Sequence, residues 1–253
     1  MLKKFLFLTL LTLALSFSAS ALLAQTEIIN GIDGDYAPFA FIDDKGQAQG
    51  FDIDCVNWIA EKKGLKVTHQ AQDWSAIVNL LSSKKIDMIA SGLSVTEERA
   101  KQINFTKPYF TIKQAILVTK DSTLTLDEVL KTGKTIGVQS GTSDEAAMKE
   151  NNGKDGNNYV LQSFPGATEA AEDLVNGRIQ AALVNDQRAT PLIESFNLKF
   201  LGYANVPSED YAYGVNKENA ELLATLNEGL DQLMADPIWT ELKKKYNLDI
   251  NFQ

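Results

Sequence analysis

The chain has 253 residues, with 24 lysines and arginines against 33 aspartates and glutamates, a net charge of −9, 44% hydrophobic residues, one cysteine and one histidine. That composition supports one large domain or two modest ones. The acidic balance, with no basic run longer than Lys243-Lys244-Lys245, argues against nucleic acid as a partner, because phosphate binding needs clustered cations. A lone Cys55 cannot form an internal disulfide or a cysteine-based zinc site, and a lone His69 leaves little basis for a histidine-relayed nucleophile. No metal or cofactor is expected.

Lys3-Lys4, the apolar run from Phe5 to Phe17 and the small residues Ala19-Ser20-Ala21 and Leu22-Leu23-Ala24 follow the order of a secretory signal peptide. Residues 1–24 are therefore read as a leader, cleaved after Ala21 or Ala24, which predicts a periplasmic protein. The run is shorter than the ~20 residues of a spanning helix. From Glu27 onward, β-rich runs alternate with amphipathic stretches, the pattern of an α/β fold with mainly parallel strands. Strands are predicted at Ile28 to Ile32, Leu65 to His69, Ile86 to Ala90, Ala115 to Thr119, Thr135 to Val138, Tyr159 to Gln162 and Ile179 to Val184. Ser94 to Glu97 and Thr125 to Glu128 have capping-box spacing, Gly177 closes a helix begun near Thr168, and Asp236-Pro237 opens another. Cys55, inside an apolar run, reads as a core residue, and His69 as a structural one.

Ligands of open α/β sheets collect at the carboxyl ends of strands. Those ends carry Asp33 to Tyr36, then Ser91-Gly92-Leu93-Ser94 with Arg99 one turn on, then Ser140-Gly141-Thr142-Ser143, then Asn185-Asp186. Ser91 to Ser94 and Ser140 to Ser143 are glycine- and hydroxyl-bearing helix entrances, where free backbone N–H groups favour an anion. Arg99 makes the first of them a carboxylate seat, and Asp186 offers the opposite charge for an ammonium group. An α-amino acid carries both groups on one carbon.

An ordered set of segments carries a further resemblance. They are Asp35-Tyr36-Ala37-Pro38-Phe39, Gly50-Phe51-Asp52-Ile53-Asp54, Asp73-Trp74, Lys85 to Ile89, Ser91 to Arg99, Phe105 to Tyr109, Gly137 to Thr142, Gly177-Arg178 and Asn185-Asp186. In this order they resemble the periplasmic proteins that deliver polar amino acids to ABC transporters, extracellular solute-binding family 3. The resemblance implies a type II periplasmic-binding-protein fold of two lobes with the ligand between them. Lobe one would be 25–117 with 209–253 and lobe two 118–208, crossing near Leu117 to Lys120 and returning near Ala204 to Glu209. It further implies that Arg99 binds the α-carboxylate with Ser94 and the Gly92 backbone, and that Thr142 and Ser143 add hydrogen bonds. Asp186 would hold the α-ammonium, Tyr36 and Trp74 would clamp the side chain, and Asp33 would contact its distal end. The implied partner is an inner-membrane ABC permease, with the binding protein a monomer.

Two other functions on this fold are a cyclohexadienyl dehydratase-like enzyme and a sensing protein that hands its ligand to a chemoreceptor. The enzyme resemblance calls for a carboxylate three residues after Asp186, where this chain has Ala189, so no proton donor stands there and no enzyme is expected. Asp33, with Asp35 or Glu209, leaves the side-chain end of the site negative, which favours a basic or amide amino acid over glutamate or aspartate.

Overall fold

The computed structural model describes residues 27–248. The predicted leader lies outside the described residues. Two five-stranded sheets organise the rest. In the first, Glu27–Ile32 lies between Lys66–Ala71 and Met88–Ile89, all parallel, and Gly214–Asn216 and Ile103–Phe105 extend the Met88–Ile89 edge in antiparallel fashion. The second repeats the plan. Lys134–Gln139 lies between Tyr159–Phe164 and Ala181–Asn185 in parallel, and Gln114–Thr119 and Leu198–Tyr203 continue antiparallel beyond Ala181–Asn185. Each lobe thus takes one antiparallel strand from chain that has just come across from the other, which is how two α/β units interleave.

The crossings are Phe110–Ile112 and Glu209–Tyr211, paired antiparallel from Glu209 opposite Ile112 to Tyr211 opposite Phe110. The first crossing expected at Leu117 to Lys120 falls instead on the Gln114–Thr119 strand and the residue after it. Ala115, Ile116, Leu117 and Val118 are fully buried, and four consecutive apolar residues need cover on both faces, which only an interior strand supplies. The short strands Asp35–Tyr36, Ala40–Ile42 and Ala48–Gln49 form a meander that follows the first strand.

Each sheet is sandwiched. Helix Phe51–Lys63 sends Cys55, Val56 and Ile59 onto one face of the first sheet, where Leu226, Leu230 and Leu233 of Ala220–Ala235 cover them. On the opposite face Ile77 and Leu81 pack with Ile89, Leu93 and Ile103. In the second lobe, Ala170 and Leu174 with Ala189 and Leu192 cover one face and Val129 with Met148 the other. Thr125 and Glu128 form the predicted capping box at Leu126–Lys131. The Ser94 to Glu97 spacing does not. Thr96 caps Glu97–Ala100 by accepting from the Arg99 N–H, while Ser94 makes a bridge to Tyr211. Cys55 is buried, and neutral His69 accepts from Asn30 at Nδ1 and donates to Asn57 at Nε2, each 3.0 Å. Burial holds the His69 imidazole down at about 4, so it is uncharged at neutral pH.

Candidate ligand-binding site

The carboxyl ends of both parallel sets face one cleft. Tyr36, Trp74, Gly92, Ser94 and Arg99 from the first lobe, Thr142, Ser143 and Asp144 from the second, and Tyr211 from the crossing strand line a small closed space within it. Gly92 has φ 60, and a Cβ there would stand 2.6 Å from the Tyr36 ring, so this turn admits only glycine. Arg99 is 8% exposed. Its Nη1 donates to the Ser94 carbonyl at 2.9 Å, and its guanidinium carbon lies 5.7 Å from the centre of the Trp74 ring. The Tyr36 and Trp74 rings are stacked at 6.2 Å with planes 10° apart, and the Trp74 indole N–H is buried without a partner. The Tyr36 and Tyr211 hydroxyls share a 2.7 Å hydrogen bond.

Contacts across the cleft hold the lobes together. Arg99 Nη2 donates to the Gly141 carbonyl at 3.2 Å, and Gln139 Nε2 to Asp33 Oδ2 at 2.6 Å. Asn185 Nδ2 donates to the Tyr36 hydroxyl, and Arg188 donates to the Ala37 carbonyl at 3.1 Å while pairing with Asp35 at 3.1 Å. Gly141, at φ 75, lets the second lobe approach Ser75 closely, since a Cβ there would meet the Ser75 Cα at 2.8 Å.

Of the expected site residues, Ser91 and Asp186 sit elsewhere, and Asp33, at the cleft, is already engaged. Ser91 is fully buried behind the turn, its hydroxyl taken by the Asp33 N–H at 3.0 Å. Asp33 is 8% exposed and occupied by Gln139 and by the Asp35 N–H. Asp186 turns from the cleft toward an open groove behind the crossing strands, lined with Lys113, Gln187, Met234 and Trp239. The reason is local: Asn185, not Asp186, caps helix Asp186–Phe196, accepting from the Arg188 N–H at 2.8 Å, so Asn185 takes the cleft side and the next residue points away.

Sequence reasoning did not assign Asp144, Asn185, Arg188 and Tyr211 to the cleft. Asp144 has a signal in hindsight, because it follows Thr142 and Ser143 in the first turn of helix Ser143–Asn151. Burial, reinforced by Glu209 and opposed by Arg99, pushes its carboxyl up to about 8. Glu209 itself accepts from the Ser143 hydroxyl at 2.7 Å. Around the small space at Arg99 one guanidinium therefore stands against two carboxyl groups, Asp144 and Glu209, while Arg188 elsewhere in the cleft is paired with Asp35.

Residues 28–249 match the family model for bacterial extracellular solute-binding proteins, family 3. The chain belongs to this family. Its solute-binding relatives include the lysine/arginine/ornithine-binding periplasmic protein of Escherichia coli K12, 33% identical over 93% of this chain and 94% of that one. The histidine-binding periplasmic protein of Salmonella typhimurium LT2 is 32% identical over the same shares. Among solved structures, an ancestral arginine-binding protein bound to arginine superposes with a TM-score of 0.78 at 33% identity, covering 87% of this chain and 97% of that one. The two-lobe architecture is that of the family. Among the described residues no helix is long and apolar enough to cross a membrane.

Proposed function

We propose that this protein is a periplasmic solute-binding protein that closes on an amino acid with a basic side chain and delivers it to an ABC importer. The observation that carries the reading is the charge pattern at this small space: Arg99 and Asp144 line it from opposite lobes, and Glu209 accepts from Ser143, which lines it too. Arg99 takes the ligand's α-carboxylate, with the Ser94 hydroxyl and the helix entrance at Thr142 and Ser143 in support. Asp144 and Glu209 meet its cationic groups. A zwitterion would balance Arg99 and one carboxylate, and a second positive charge on the side chain balances the other. Tyr36 and Trp74 supply flat faces for an aliphatic stem or guanidinium. Relatives named for binding lysine, arginine, ornithine and histidine support the same class.

The moving parts in this reading are residues 27–112 with 209–248 against residues 113–208, hinged at the paired crossing strands. A ligand touching both lobes favours the closed arrangement by contacts that the open one lacks. Ala189 is fully buried in the second-lobe core, so that position offers no proton donor to a substrate.

Thermal unfolding of refolded, ligand-stripped protein against the common amino acids plus ornithine and citrulline tests the proposal. A ligand at ~1,000 times its dissociation constant adds about 4 kcal/mol, a rise of roughly 8–16 °C at this length. The expected result is such a rise with arginine, lysine, ornithine or histidine. No rise with any amino acid would overturn it.

A further inference from the structure

Asp52 is the most deeply placed carboxyl that the binding site does not use directly. It lies in the first turn of helix Phe51–Lys63, is fully buried, and faces the back of the turn that carries Gly92 and Ser94. Its Oδ2 accepts from the Gly92 N–H at 2.7 Å and from the Tyr109 hydroxyl at 2.8 Å, and its Oδ1 is buried without a hydrogen-bond partner. On the other side of Gly92 stand the Tyr36 and Tyr211 rings, against which a Cβ would come to 2.6 and 2.9 Å. Gly92 is thus gripped in a left-handed conformation by two rings that face the cleft and by one carboxyl from the core.

We propose that Asp52 is a positioning residue for ligand binding, holding the Gly92 peptide so that the Ser94 and Arg99 groups keep their ligand-seating geometry. This rests on the reading of that turn as the carboxylate seat. A buried carboxyl is costly, and a core that needed only volume would be filled by an apolar side chain. Here the carboxyl meets a backbone N–H that no strand or helix partner satisfies, and it does so where a glycine could otherwise rotate freely. The titratable groups around Asp52 are Tyr109, Tyr213 and Cys55, with Asp54 on its own helix, and no cation is among them. Burial accordingly pushes the carboxyl up to about 7, and its neutral form still accepts both hydrogen bonds through Oδ2.

The test compares Asp52→Asn and Asp52→Ala by calorimetry, using whichever of arginine, lysine, ornithine, histidine or glutamine the wild type binds most tightly. The amide oxygen of asparagine can accept both bonds, so Asp52→Asn should bind within about threefold of wild type, whereas Asp52→Ala should lose ~30-fold or more at a temperature where its circular dichroism is native. A purely structural role would lower the melting temperature of the alanine variant and leave the affinity of its folded form intact, and wild-type affinity in Asp52→Ala overturns the proposal. If that variant does not fold, Asp52→Leu, which keeps the volume and removes the acceptor, takes its place: a loss of ~30-fold or more supports the proposal, and wild-type affinity in Asp52→Leu overturns it. Failure of the site reading looks different: Arg99→Ala then binds as well as the wild type.

Discussion

Arg99 has few alternatives to a ligand carboxylate. Its guanidinium is nearly closed off from solvent, and its donors reach only the Ser94 and Gly141 carbonyls, neither of which carries a full charge. Burial presses its pKa down, against the pull of Glu209 and Asp144. Arg99→Ala should therefore abolish tight binding, at a cost of about 3–5 kcal/mol, as read by calorimetry. Asp144 gives a second test with a definite sign. A cation bound beside it favours its ionised form, so binding releases a proton wherever the free carboxyl is still protonated. Affinity for a basic amino acid should rise from pH 6 to pH 8, as the carboxyl near 8 ionises, and be flat in Asp144→Asn. A flat wild-type profile would contradict the pairing. Arg99, Gly92 and Thr142 were legible in the sequence because each follows directly from a strand end or helix entrance. Asp186 was misplaced because Asn185 and Asp186 are both acceptable caps, and only the phase of the helix decides which one faces the cleft.

At the scale of elements, strands with an uninterrupted apolar run, such as Ala181 to Val184 in Ala181–Asn185 and Ala115 to Val118 in Gln114–Thr119, could be read from the sequence. The pieces that were missed are short, and both their pairing and their burial depend on distant parts of the chain. Phe110–Ile112 and Glu209–Tyr211 have three residues each, lie 99 residues apart where Thr111 bonds Asp210, and show no hydrophobic period of their own. The next strand with an apolar run of its own, Gln114–Thr119, is the one that stands out in the sequence near the crossing. Local signals were more dependable where a side chain closes its own backbone, as at Thr125 and Glu128. Thr125→Ala should cost about 1 kcal/mol of stability, seen as a lower melting temperature, and leave ligand affinity unchanged, since the Thr125 side chain is engaged with Glu128 of its own helix and does not line the space around Arg99. A matching loss of affinity would mean that lobe stability and the site are coupled in a way the fold does not explain.

At the scale of the whole molecule, function depends on two lobes that each have a core of their own and meet through polar contacts. Gln139 to Asp33, Asn185 to Tyr36, and Arg188 to Asp35 and Ala37 are hydrogen bonds and one ion pair, not an apolar seam. Polar contacts of this kind can be exchanged for water on opening, which leaves the ligand's contacts to decide the balance. Calorimetric titration of ligand-stripped protein with arginine, agmatine and glutamate separates the roles of Arg99 and the two carboxyl groups. Arginine should bind tightly, agmatine, which lacks the carboxylate for Arg99, much more weakly, and glutamate, which would bring a second anion beside Asp144 and Glu209, not at all. Tight binding of glutamate, or equal binding of arginine and agmatine, would contradict those roles.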